Sequence, residues 1–221
     1  MTLAEFHTQI SEEINQGTRL DYLIPNYVRR AARLIEQDYT ALYMERFAQM
    51  ALDVSVDNPR FLSWPEENGL PNIKALDFIR YTTATNSTDS LDYVYLVMVE
   101  PTQIKSIETN VPQGYWLTGS PDGSGYIVLD QVPDENMTLE AKWKAYTQWP
   151  TSDYSSTPYL VRNSEMLLLA QTMLLMAPIA EEPDWLTRYA EIWKMSKNSH
   201  INADVELRNS GVAAGYVTIP S

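Results

Sequence analysis

A double change in the period of the apolar residues restricts this chain more than any other feature. Up to about residue 48 they recur every three or four positions, from 49 to 156 they tend to alternate, and from 157 the helical spacing returns. A helical period buries a stripe of a cylinder and a two-residue period buries one face of a sheet, so one stretch cannot serve both. The expectation is an α+β protein. Residues 1–48 and 157–208 form a helical bundle, 49–156 an inserted antiparallel β domain, and 209–221 an extended C-terminal tail.

The helical stretches carry their own punctuation. Thr2 and Glu5 have the spacing of a capping box, and Leu3, Phe6, Ile10 and Ile14 then fall on one face, with Gly17 as the stop. Asp21 is placed to cap a second helix with Pro25 in its first turn, and Ile24, Val28, Ala31, Ile35 and Leu42 make a stripe running toward Phe47. After Pro150, Thr157 and Pro158 read as cap and first position of a helix through Leu160 to Met176. That helix is apolar nearly all round, which predicts the most buried position in the bundle. Pro183 starts a last helix that is expected to reach about His200.

In the central region Met50, Leu52, Val54 and Val56 alternate with polar or small residues. Leu76–Tyr81 and Asp92–Glu100 are rich in β-branched and aromatic side chains, with a polar turn at Asn86–Asp89 between them. Asn58-Pro59 and Trp64–Pro71 read as loops, and Pro101–Ile107 as one or two helical turns. Tyr115–Thr118, Tyr126–Leu129 and Met137–Tyr146 read as a three-stranded meander. In the last of these Met137, Leu139, Ala141, Trp143 and Ala145 face the core, while Thr138, Glu140, Lys142 and Lys144 face water.

Composition removes several kinds of chemistry. The 221 residues include no cysteine, which excludes disulfides, thiol catalysis and cysteine-zinc sites and suits a reducing compartment. His7 and His200 lie far apart in sequence, so no metal ligand pair is spaced for a transition metal. The opening residues lack a basic stretch followed by an apolar one, and Met166–Ala180 is too short and interrupted to span a bilayer. With 16 Lys and Arg against 29 Asp and Glu, the formal charge of −13 repels phosphate and argues against sequence-reading of nucleic acid. The glycine-rich stretch Gly119–Gly125 lacks the Lys-Ser/Thr of a phosphate loop and reads as a β-turn; there is no Gly-x-Ser-x-Gly elbow. The acidic pairs Glu12-Glu13, Glu66-Glu67 and Glu181-Glu182 suit a solvated surface. No catalytic, cofactor-binding or metal-binding residue is assigned.

Two features point to contacts with other chains. Arg29, Arg30 and Arg33 gather positive charge on an acidic protein, either pairing within their helix with Glu36 and nearby acids or meeting an acidic partner. Gly215, Tyr216, Val217, Thr218, Ile219 and Pro220 combine flexible glycine with strong β preference, as a disordered tail or as a strand added to a partner's sheet edge.

In order along the chain, several stretches resemble the head-to-tail adaptor (connector) proteins of tailed bacteriophages, closest to the podovirus type. MTLAEFHTQISEEINQ resembles the family's first helix and DYLIPNYVRRAARLIEQDY its second. The meander YWLTG to KAYTQWP and the closing run YLVRNSEMLLLAQTMLLMAPIAEEPDWLTRYAEIW are similar to the family's later segments, so the resemblance covers about Met1 to Asn209. Leu91–Ile107 departs from the family pattern. The resemblance implies a non-enzymatic virion protein at the portal-tail junction, assembled in the host cytoplasm and without cofactor or membrane. It implies a homo-oligomeric ring, typically of twelve copies, that joins the portal protein to the tail nozzle, with tail fibres as a further partner. Double-stranded DNA would pass through the ring without sequence-specific binding, and Gly215–Pro220 would be a portal contact. Three other readings stay open: another tail or tail-completion component, a glycan-binding module suggested by six Trp and 14 Tyr, and an enzyme with a carboxylate site.

Overall fold

The computed structural model of the chain describes residues 1–15, 19–56, 59–64, 73–83, 93–104, 107–108, 110–119, 125–150 and 152–210. Among the described residues the chain divides into two units, one formed by Met1–Met44 and 146–210, the other by Glu45–Ala145. Its class is α+β.

In the first unit, α1 (Leu3–Ile14) starts at the expected capping box: the Glu5 N–H donates to Thr2 Oγ1 and the Thr2 N–H to Glu5 Oε2. The Leu3 and Ala4 N–H groups donate to the carbonyls of Ser156 and Tyr154, so the free donors of the first turn are satisfied. Leu3, Phe6, Ile10 and Ile14 are its buried face. Asn15, at φ 49°, ends the helix, and the expected stop Gly17 lies outside the described residues. Asp21 opens a 3-10 turn (Asp21–Leu23), accepts a bond from Ser11 Oγ, and leads into α2 (Ile24–Asp38).

The stripe expected to continue to Leu42 and Phe47 stops at Asp38. Tyr39 is extended, Leu42–Met44 is a 3-10 turn and β1 (Glu45–Leu52) begins at once. A tertiary contact decides this: Asp204 takes the Leu42 N–H at 2.6 Å and the Tyr39 hydroxyl at 2.8 Å, outcompeting continuation of the helix. The boundaries expected at 48/49 and 156/157 therefore fall at 44/45 and 145/146. At the second boundary Trp149 and Tyr154 pack on the helical core, which is why this stretch belongs with the helices.

The closing helices also differ from expectation. Ser164 separates α3 (Tyr159–Asn163) from α4 (Glu165–Ala180), where one helix was expected. Pro178 sits inside α4, and α5 (Asp184–Asn209) extends nine residues beyond His200. The expected central position of α4 holds. It packs against α1, α2, α3 and α5, and Leu167, Leu168, Leu169, Ala170, Met173 and Met176 are buried around its circumference. Burying each of these Leu and Met side chains contributes roughly 1.5–3 kcal/mol. No helix among the described residues is long and apolar enough to cross a membrane.

The second unit holds two four-stranded sheets. Besides β1, its strands are β2 (Phe61–Ser63), β3 (Ile73–Thr83), β4 (Tyr93–Tyr95), β5 (Val97–Met98), β6 (Gly114–Gly119), β7 (Gly125–Leu129) and β8 (Met137–Ala145). One sheet has the order β1-β8-β3-β4, the other β2-β7-β6-β5. The three-stranded meander is corrected. β6 and β7 form a hairpin, but β8 leaves them to lie between β1 and β3, where both of its edges are paired. Its core face is as read, with Met137, Leu139, Ala141, Trp143 and Ala145 all buried, but Glu140, expected to face water, is also buried, where it accepts from Gln49 and Arg80. The chain crosses from one sheet to the other at buried Leu96, whose N–H donates to the Ile79 carbonyl. β5 then runs parallel to β6, and Gly114 makes this possible, since a Cβ there would lie 2.8 Å from Val99 Cγ1.

Trp143 stacks edge-on against Trp64 at 4.9 Å between ring centroids and is fully buried. Trp143→Ala should lower the free energy of unfolding by about 3–5 kcal/mol. Thr138→Ala, on the wet face of the same strand, should change it by less than about 0.5 kcal/mol; urea denaturation checks both.

Candidate functional site

The chemically capable side chains of the first unit meet in two buried clusters that sequence reading did not anticipate. In the first, Ser164 Oγ lies 2.6 Å from His200 Nδ1, and Asp204 is one helical turn beyond His200. Serine, histidine and acid are the residue types of a hydrolytic triad, in which the imidazole bridges the other two through its two nitrogens. Here the acid is used otherwise. Its oxygens accept from the Leu42 N–H, the Tyr39 hydroxyl and Arg208 Nε, the last at 2.9 Å. These bonds and the Arg208 charge hold Asp204 below the usual carboxylate range against the opposing effect of burial. Ser164, His200 and Asp204 are all buried. The arrangement ties α5 to the α3-α4 break and to the segment leading into β1. The one-turn spacing of His200 and Asp204 is visible in sequence, whereas Ser164 lies 36 residues away.

Glu36 centres the second cluster and is 1% exposed. It accepts from the Tyr43 hydroxyl and the Thr147 N–H, each at 3.1 Å, and from the Thr147 hydroxyl. Burial pushes its carboxyl above the ordinary range, opposed by those bonds and by the Arg33 charge. Burial also raises Tyr43, with the Glu36 charge acting in the same direction. This is a structural lock rather than an acid-base pair open to substrate.

The three arginines singled out in the sequence have different surroundings. Arg33 lies flat over the Tyr146 ring, 3.1 Å from its centroid, and its charge acts on Glu36. Arg29 donates to Asn26 Oδ1 at 3.0 Å. Arg30 is exposed. Arg33 is thus half-buried against Tyr146, and Arg30 is the fully exposed member of the three. Gly215, Tyr216, Val217, Thr218, Ile219 and Pro220 lie outside the described residues.

None of the six tryptophans is exposed. Trp64 and Trp143 belong to the β core; Trp149, Trp185 and Trp193 pack on the helical core; Trp116 lies beside the Arg60 guanidinium. An aromatic group does form around Arg80, whose guanidinium is 3.6 Å from the Tyr93 ring centroid and 4.8 Å from that of Phe78. Arg80 also donates to Glu140 Oε2 at 2.7 Å and to the Tyr95 hydroxyl at 3.1 Å. Among the described residues no group of three or more His, Asp or Glu side chains is placed to hold a metal ion. Compared with known proteins, the chain matches no family model, and no curated protein matches it.

Two predictions follow from these surroundings. Arg33→Ala should lower stability by about 1–2 kcal/mol through loss of its stacking on Tyr146, while Arg30→Ala should stay within about 0.5 kcal/mol; thermal melts compare them. Burial depresses His200, and His7 is shifted the same way by burial and then by Arg29. The unfolded chain therefore takes up these protons first as pH falls below 6.5, so stability is full above that pH and is lost below it. Each histidine contributes a slope of at most about 1.4 kcal/mol per pH unit. Glu36, raised, has the opposite sign and gains stability as pH falls through its folded pKa toward 4.5. Urea titrations between pH 7.5 and 5.5 should show His200→Asn losing less stability than the unchanged chain.

Proposed function

We propose that this chain is a structural subunit of a tailed bacteriophage, a head-to-tail adaptor. It would assemble as a ring of about twelve copies that joins the portal to the tail nozzle around the DNA channel. The observation that carries this reading is the ordered set of adaptor-like segments spanning about Met1 to Asn209.

Two further observations support it. The buried Ser164, His200, Asp204 and Glu36 are spent on holding the chain together, as suits a building block rather than an enzyme. The net charge of −13 repels the phosphates of a passing duplex, so DNA would move through without adhering. Arg30, exposed on α2, would be the member of the arginine group to meet an acidic neighbour.

A second reading draws on the Arg80 group. Tyr93, Tyr95 and Phe78 around one guanidinium offer a stacking surface that a glycan-binding module would use.

Mixing the purified chain with portal rings of the same virus and imaging by electron microscopy tests the adaptor reading. The expected result is a ring of added density on each portal, with the copy number read directly from its symmetry. Bare portals in the presence of folded chain, together with retention on a sugar column, would replace the adaptor with the glycan-binding module.

A further inference from the structure

α2 carries its positive charge on one side. Arg29, Arg30 and Arg33 follow Asn26 at i+3, i+4 and i+7, the spacing that a helix gathers onto one face. Arg29 donates to Asn26, Arg33 lies over the Tyr146 ring and Arg30 is exposed. Tyr22, one turn before Asn26, is 74% exposed. The acids nearest along the chain are already engaged. Asp21 accepts from Ser11, Asp38 pairs with Lys197 at 3.0 Å, and Glu36 is held by Tyr43 and Thr147. Among the described residues none of the three arginines has an ion pair.

A complementary group of negative charges lies where α4 turns into α5. Glu181, at φ 59°, ends α4, Glu182 follows it and Asp184 opens α5. All three are exposed, and among the described residues their carboxylates have neither an ion pair nor a hydrogen bond. Arg188, one turn further along α5, is turned to Glu13 at 3.0 Å. Ile179 and Leu186, both exposed, flank the acids, so this corner presents apolar area as well as charge.

Within one chain the two surfaces do not meet. Ser164 precedes the first residue of α4 and bonds His200, whose ring lies 6.4 Å from that of Tyr43, and Tyr43 in turn holds Glu36, three residues after Arg33. The acidic corner closes the other end of α4, a 16-residue helix and so about 24 Å away along its axis.

We infer that the arginine face of α2 docks the Glu181, Glu182 and Asp184 corner of a second copy. Arg29 and Arg30 pair with Glu181 and Glu182, and Arg33 adds its charge from beside Tyr146. The two surfaces are unlike, so each copy offers one of each and the contact repeats head to tail, as a ring requires. On a chain of net charge −13, copies repel one another in most orientations and attract in this one. A second copy is the partner because the chain itself carries the unmatched acids; the head-to-tail repeat rests on the ring reading above.

Carbodiimide crosslinking reads the contact directly, since it joins an amine to a carboxylate only where they touch. Arg30→Lys keeps the charge and supplies the amine. In a mixture of isotope-labelled and unlabelled Arg30→Lys chains, mass spectrometry should find position 30 of one chain joined to Glu181 or Glu182 of another. Arg162→Lys, exposed on α3, should give at least ten-fold less product with these acids. Sedimentation velocity gives a second readout. The unchanged chain should self-associate at about 20 mM salt and at least ten-fold more weakly at about 0.3 M. Arg29→Ala with Arg30→Ala, or Glu181→Gln with Glu182→Gln, should each weaken association at least ten-fold. A mixture of these two double variants should form dimers and nothing larger, because each pair of chains keeps one intact arginine face and one intact acidic corner.

None of these positions is in the core, and thermal melts verify that each variant is folded. No crosslink to the corner, an equal yield from Arg162→Lys, association that ignores either double variant, or growth beyond dimers in the mixture would each overturn the proposal. Portal capture that requires Arg29 and Arg30 while free chains stay single would assign the face to the portal and overturn it too. An adaptor ring on portals without the crosslink would sink this contact alone, and the crosslink with bare portals would sink the adaptor reading alone.

Discussion

Glu36 is a carboxylate taken almost wholly out of water in a chain that already carries an excess of negative charge. Such burial costs several kcal/mol unless the charge is met by donors, and the donors that meet it come from both sides of the inserted region. Tyr43 belongs to the segment leaving the helical unit, and Thr147 to the segment returning to it. One side chain of α2 therefore fixes both ends of a 101-residue insertion, Glu45–Ala145. Asp204 does the same from α5 for the departing segment alone, through Tyr39 and Leu42. The site at which the chain turns from helix to strand is set by these two acids more than by local preference.

The inserted unit needs this arrangement. Its first and last strands, β1 and β8, are neighbours in register, so the chain must enter and leave at adjacent points. A long insertion with adjacent ends adds little loop-closure cost to its host, because that cost grows only with the logarithm of length. The helical unit can then complete its core around α4 from segments on either side of the insertion.

Much of this was legible in the residues. The capping box at Thr2, the buried face Leu3-Phe6-Ile10-Ile14, the central place of α4 and the core face of β8 are local patterns, and each stands where the pattern put it. What the pattern could not carry was partnership. Leu42 and Phe47 continue the stripe of α2 in spacing, yet Asp204, 162 positions after Leu42, claims the Leu42 N–H. Tyr126–Leu129 and Met137–Ala145 look like successive strands of one sheet and belong to two, because β8 finds its partners in β1 and β3. Arg29, Arg30 and Arg33 read as one basic patch, but only the structure separates Arg33, stacked on Tyr146, from exposed Arg30. The Ser164–His200 pair was illegible for the same reason: its members share no local period, and only the fold of α4 against α5 brings them together.

The position of β8 has a consequence for how the chain comes into being. It is the last strand of its sheet to be synthesised and yet the one to which both β1 and β3 are paired. On a ribosome adding about 5–20 residues per second, Leu52 has left the synthesis site roughly 4–17 seconds before Met137 arrives. During that interval β1 lacks its partner β8, and β3 can pair only with the three residues of β4. The helices face the same delay, since α1 and α2 wait for α4, whose first residue is Glu165. Neither unit can be finished from the amino-terminal half, and the apolar faces of the early segments stay unburied until the late ones appear. The chain therefore exposes more apolar surface while it is being made than at any time afterwards.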